Sequence, residues 1–142
     1  MISTKGRYAL RVMLDLAGQP AGEAIKLKDV AERQQISLKY LEQIIAILNK
    51  SGMVRSIRGP QGGYMLSRKP ADYTVGMILR LTEGDLAPVS CVSASHPGCE
   101  RQHQCATVVV WDKMYQAINN VIDNITIADL QNLENEKAEE NE

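Results

Sequence analysis

No stretch of the 142 residues is apolar enough for long enough to cross a bilayer. The opening Met1-Ile2-Ser3-Thr4-Lys5-Gly6 holds no run that could serve as a signal peptide. The expectation is therefore a cytoplasmic chain with no membrane partner, in a compartment where structural disulfides are disfavoured. Cysteine is scarce as well: three residues, an odd number, which argues against a closed disulfide set. No Cys-x-x-Cys pair and no histidine–carboxylate constellation occurs, so the chain is not expected to be an enzyme or to take a small-molecule substrate. The glycine run at 59–63 is not followed by Lys-Ser/Thr and leads toward a strand rather than a helix, which excludes a nucleotide loop.

What is present is divided by charge. The formal net charge is −1, yet residues 1–69 carry 12 Lys/Arg against 5 Asp/Glu, and residues 70–142 carry 4 against 12. A basic half is the footprint of a protein that binds a polyanion. An acidic remainder stays soluble and off the phosphates.

Helical spacing of Tyr8, Val12, Met13 and Leu16 predicts a first helix over 4–19, ended by Gly18, Pro20 and Gly22. Ala24-Ile25-Lys26 suggests a short strand, and 28–34 a second helix. Ser37 is placed as the cap of a third helix over 38–51. There Leu38, Leu41, Ile44, Ile45 and Leu48 share one face, and Lys39, Glu42, Gln43 and Ala46 the other. Two short helices across a three-residue turn form a helix-turn-helix, whose second helix can enter the major groove; an ordinary surface helix would show the same periodicity.

The next segment favours the DNA reader. Residues 54–58 and 64–66 alternate like two strands across Gly59-Pro60-Gln61-Gly62-Gly63, which predicts a winged helix. Arg55, Arg58, Arg68 and Lys69 cluster around that hairpin, within reach of phosphates or a narrow minor groove. The fold class is thus mainly α with a small β-wing: a winged helix-turn-helix domain (1–83) that includes a fourth helix over 75–82 capped by Thr74.

All three cysteines and both histidines fall in one loop (84–105): Cys91, His96, Cys99, His103 and Cys105. Soft thiolates gathered on a loop bind zinc or iron–sulfur clusters. The spacing Cys-x7-Cys-x5-Cys lacks the tight pair common in structural zinc sites and suits a cluster better. The fourth ligand stays open among His96, His103, a carboxylate such as Glu100, or a residue of a partner subunit. Downstream, 106–133 is expected to hold a dimerisation helix and a short closing helix. Trp111, Met114, Ile118, Val121 and Ile125 follow a/d spacing and need a partner, which predicts a homodimer. Residues 134–142 form a charged run expected to be disordered.

Three stretches make the chain resemble the IscR/NsrR/CymR family of winged-helix regulators (the Rrf-two family). They are Ser3-Thr4-Lys5-Gly6-Arg7-Tyr8-Ala9-Leu10, Ser37-Leu38-Lys39-Tyr40-Leu41-Glu42-Gln43, and Ser56-Ile57-Arg58-Gly59-Pro60-Gln61-Gly62-Gly63-Tyr64. The resemblance covers nearly the whole chain and is strongest to the IscR branch, repressors of iron–sulfur cluster assembly genes. It implies a dimer on a pseudo-palindromic operator in double-stranded DNA. The resemblance implies DNA contacts for Ser37, Lys39, Tyr40, Glu42 and Gln43 at the recognition helix and a minor-groove role for Arg58, beside which Arg55, Gly59 and Gln61 of the hairpin are further candidates. It also implies an iron–sulfur cluster on Cys91, Cys99 and Cys105, with [2Fe–2S] favoured over [4Fe–4S]. Two departures stand out: the first cysteine gap is seven where the IscR branch has five, and Val108 stands where that branch has histidine. The alternatives are a sensor of nitric oxide or of cysteine status on the same fold, or a zinc-stapled repressor.

Overall fold

The computed structural model describes residues 2–142. Apolar residues at helical spacing place α1 over Thr4–Ala17, with Ala9, Val12, Met13 and Leu16 buried. α2 spans Leu27–Gln34 and ends where Gln35 takes a left-handed conformation (φ 55°). α3 spans Leu38–Lys50, and the Ser37 hydroxyl accepts the Tyr40 N–H at 3.2 Å, satisfying an end-of-helix donor as a cap should. Leu41, Ile44, Ile45 and Leu48 face inward as their spacing predicts. Leu38 does not. It is 43% exposed, because the first turn of α3 projects beyond the body that the later turns cover.

β1 (Val54–Ile57) pairs antiparallel with β2 (Gly63–Leu66), from Val54 opposite Leu66 to Ile57 opposite Gly63. The predicted strand at 24–26 is a single bridge: the Ile25 and Tyr64 N–H groups each donate to the other's carbonyl at 2.8 Å. That bridge brings two backbones so close that a Cβ on Gly63 would lie 2.3 Å from the Ile25 carbonyl oxygen; only glycine fits. Beneath the ribbon sits Tyr73, wholly buried. Its hydroxyl donates to the Met53 carbonyl at 2.6 Å and accepts the N–H groups of Ser67 and Arg68 at 3.1 and 3.0 Å.

α4 (Val75–Glu83) starts at Thr74, whose hydroxyl accepts the Met77 N–H at 3.1 Å. It crosses to α1, where the Glu83 carboxylate receives the N–H groups of Ser3 and Gly6 at 3.0 Å and the Ser3 hydroxyl at 2.5 Å. These donors hold the Glu83 carboxyl below the ordinary range, the Ser3 hydroxyl contributing most. A Cβ on Gly6 would meet the same carboxylate oxygen at 2.3 Å.

α5 spans Val108–Ile122 and α6 Ile127–Glu140. Two expectations change here. Ile125, placed on the dimerisation stripe, lies outside α5 in the turn to α6, where its carbonyl accepts the Val75 N–H at 2.8 Å. Residues 134–142, expected to be disordered, continue α6 as far as Glu140. The Thr126 cap, whose hydroxyl accepts the Asp129 N–H at 3.1 Å, starts that helix. Glu, Lys and Ala, strong helix formers without a break, extend it through solvent. Its first turn returns to the head: Ile127 is wholly buried in the head's core cluster, its N–H donating to the Tyr73 carbonyl at 2.9 Å, and Gln131 donates to the Ala17 carbonyl at 2.8 Å.

Candidate nucleic-acid interface and cysteine loop

α3 and the ribbon form one exposed front. Ser37, Lys39, Glu42 and Gln43 are exposed, and Tyr40 is half-buried beside them. The outward positions on α3 are therefore free for base edges, while the opposite face is fixed in the core. At the ribbon tip the Gly62 N–H closes a turn onto the Gly59 carbonyl at 2.9 Å, with Gly59 at φ +105°. Arg55, Arg58, Gly59 and Gln61 are all exposed on this hairpin. The two ion pairs among the described residues are Arg33–Asp15 and Arg80–Asp123. Lys39, Arg55 and Arg58 thus carry no acidic partner that a phosphate would have to displace.

Behind the front, charge is locked away. Asp15 of α1, its side chain 3% exposed, takes a two-pronged pair from Arg33 of α2 at 2.8 and 3.0 Å and an amide hydrogen bond from Gln34 at 2.9 Å. Burial of a carboxylate is tolerable only with such partners. Tyr8 of α1 meets Tyr40 of α3 edge to face, with centroids 5.9 Å apart, and Arg11 lies over the Tyr8 ring at 5.1 Å.

The cysteines sit on the far side of α4, between Glu83 and α5. None of residues 84–107 is buried. The segment is held by its own contacts: Asp85 accepts the Ser93 hydroxyl, the N–H groups of Ala87 and Ala94 at 3.0 and 3.2 Å, and the Tyr115 hydroxyl of α5 at 2.5 Å. Those donors lower the Asp85 carboxyl, Ser93 first and Tyr115 next, and the same carboxylate raises the Tyr115 phenol. Cys91 and His96 line a cavity of about 710 Å³ against the first turns of α5. Cys105 stands at the N-terminus of α5, its thiol 3.1 Å from the Thr107 hydroxyl. That hydroxyl, then the Val108 N–H, lowers the thiol below its ordinary value. All three cysteines are free; Cys99 is exposed and the other two half-buried. His103 and Glu100 point into solvent on the same segment. Among the described residues, no three His, Cys, Asp or Glu side chains stand close enough together to hold a metal ion.

α5 itself is poorly covered. Ile122 is its one buried residue. Ile118 and Ile125 pack with it against Val75 and Leu79, whereas Met114 and Val121 are 45% and 55% exposed and Trp111 is half-buried. Val109 and Val110 are exposed beside them. The a/d stripe is thus split between an inward and an outward half.

The family model of Rrf2, described as iron-dependent transcriptional regulators, matches residues 2–133. This chain belongs to the Rrf2 family. The IscR of Yersinia pseudotuberculosis is 37% identical over 131 residues, which are 92% of this chain and 79% of that protein. Among solved structures, T. potens IscR is 42% identical with a TM-score of 0.74, over 92% of this chain and 85% of its own. CymR, the global cysteine regulator of B. subtilis, is 35% identical with a TM-score of 0.78, over 94% and 97%. Rrf2 proteins are DNA-binding transcriptional regulators rather than enzymes, and their winged-helix architecture is the one seen here. No helix among the described residues is long and apolar enough to cross a membrane.

Sequence reasoning missed Tyr73, Asp15 and Glu83, which hold the front in place from behind. Gly6 was the one local sign of Glu83, since glycine inside an otherwise good helix marks a close approach.

Proposed function

We propose that this Rrf2 protein is a homodimeric repressor of iron–sulfur cluster assembly genes that reads a pseudo-palindromic operator. The carrying observation is one exposed front built from α3 and the wing, joined through α4 to a cysteine loop. On α3, Lys39 and Gln43 address base edges, Ser37 and Tyr40 the backbone, and Glu42 accepts from a cytosine amine. Arg58 at the wing, supported by Arg55, Gly59 and Gln61, follows the minor groove. A second copy covers Trp111, Met114, Ile118 and Val121, which fixes the spacing of two reading heads on successive half-sites.

The donor chemistry of the loop fits an iron–sulfur cluster: three free thiols, none buried, on a segment in which no residue is fully buried. Cys91, Cys99 and Cys105 would hold it, [2Fe–2S] ahead of [4Fe–4S], with His96, His103, a carboxylate or a partner residue as fourth ligand. When bound, a cluster supplies a redox-sensitive tie between loop positions that are otherwise independent. Gathering the thiols requires the loop to leave the arrangement that Asp85 now organises, and Tyr115 carries that change to α5.

A second reading has its own support. The similarity to CymR extends over 97% of that chain, and Val108 stands where a ligand is expected in the IscR branch. On that reading the same fold responds to cysteine status, with the thiols as reactive groups.

Anaerobic purification with a visible spectrum and iron, sulfide and zinc analysis on one sample tests both. Absorbance above about 400 nm with equal iron and sulfide is expected, and a Cys99→Ala variant should lose it. A colourless protein with zinc in each chain would leave a zinc-stapled repressor. One with neither metal would leave the cysteine-responsive reading.

A further inference from the structure

The helices behind the DNA-reading front carry a chain of contacts that ends on a reading residue. It starts at the buried Asp15 carboxylate. The Gln34 side chain donates to Asp15 at 2.9 Å and, through its oxygen, accepts Arg11 Nε at 3.1 Å. The amide therefore has one orientation that satisfies both neighbours. A second Arg11 nitrogen donates to the Gln34 backbone carbonyl, at the last residue of α2. With two of its donor nitrogens used this way, the guanidinium lies 5.1 Å from the Tyr8 ring centroid, within range for a cation–π contact. The Tyr8 ring then meets Tyr40 at 5.9 Å and 77°, the edge-to-face geometry that the ring quadrupoles favour. Tyr40 sits in the first turn of α3, its N–H held by Ser37. Asp15, Arg11 and Tyr8 all lie on α1, so the chain crosses to α2 and back through Gln34 and then passes from α1 to α3 at Tyr40.

We infer that Tyr8 and Arg11 are positioning residues for DNA reading, locking the Tyr40 side chain and the first turn of α3 in the orientation that meets the DNA. This rests on α3 being the recognition helix. Arg11 is exposed and basic, so a direct phosphate contact is the competing role. The two differ physically. A phosphate contact releases a counterion and steepens the salt dependence, whereas a positioning contact works through Tyr40 and leaves that slope alone. The Tyr8 hydroxyl forms no hydrogen bond among the described residues, so the ring and not the hydroxyl is the working part.

The test uses the full-length protein and the duplex it selects from a random-sequence library, with affinity measured by fluorescence anisotropy over a range of salt. Tyr8→Leu and Arg11→Gln are expected to weaken binding roughly tenfold, the size of a contact coupling, with the salt slope unchanged. Tyr8→Phe should restore wild-type affinity. In a Tyr40→Ala background, neither change should weaken binding further. Additive losses in that background would overturn the inference, as would a slope reduced by about one charge in Arg11→Gln, or no loss in either variant. Should Tyr8→Leu fail to fold, the exposed Arg11 position carries the same cycle alone. Failure to select any duplex would instead overturn the reading of α3 as a recognition helix.

Discussion

Tyr73 shows how much one side chain can organise. Its hydroxyl, at the tip of a wholly buried side chain, serves three backbone groups at the base of the wing. Tyr73→Phe keeps the ring and strands the Met53 carbonyl and two N–H donors. A loss of about 1–3 kcal/mol is expected, the usual cost of unsatisfied buried groups, measured as a lower urea midpoint with an unchanged slope. Glu83 gives a prediction in pH. Its carboxyl is depressed in the fold by the Ser3 hydroxyl first, so its contribution is complete above the unfolded glutamate value. That contribution is lost as pH falls through the lower folded value. Glu83→Gln should therefore show a shallower loss of stability on acidification than the wild type, in thermal melts from neutral pH downward. An equally steep acid limb in both proteins would count against the clasp.

At the scale of elements, local rules were legible and distant contacts were not. Ser37 and Thr74 announce their helices because a hydroxyl cap works within three residues. Gly59, Gly62 and Gly63 announce the ribbon because its turn and its close approach to Ile25 need them. By contrast, Arg33 reaches Asp15 across 18 residues, and Glu83 reaches Gly6 across 77. No periodicity records such pairs. The stripe on α5 was legible as apolar, but not its division, since Ile118 and Ile122 needed α4 before their burial could be assigned. The cysteines were legible as a donor set and not as a geometry. The outward half of α5 makes its own prediction. Met114→Glu with Val121→Glu should convert the proposed dimer to a monomer in sedimentation and weaken duplex binding at least tenfold. It should leave the head's helical signal intact, because neither side chain belongs to the core.

The whole molecule is held together from its far end. Ile127 is wholly buried in the head's core and Leu130 packs against it, although they lie 77 and 80 residues beyond the end of α3. Removing residues 125–142 should destabilise the helix-turn-helix by about 2–5 kcal/mol, the range for deleting one large core side chain. Removing 134–142, an exposed helix end, should leave the melting temperature within a degree or two. Equal effects from both truncations would contradict this account of α6. The placement of Ile127 also orders events in time. A ribosome adding about 5–20 residues per second finishes α3 several seconds before it makes Ile127, which closes the core cluster that α3 shares. A half-made chain thus has α3 above an unfinished core, and the winged-helix head is complete only once Ile127 has been added.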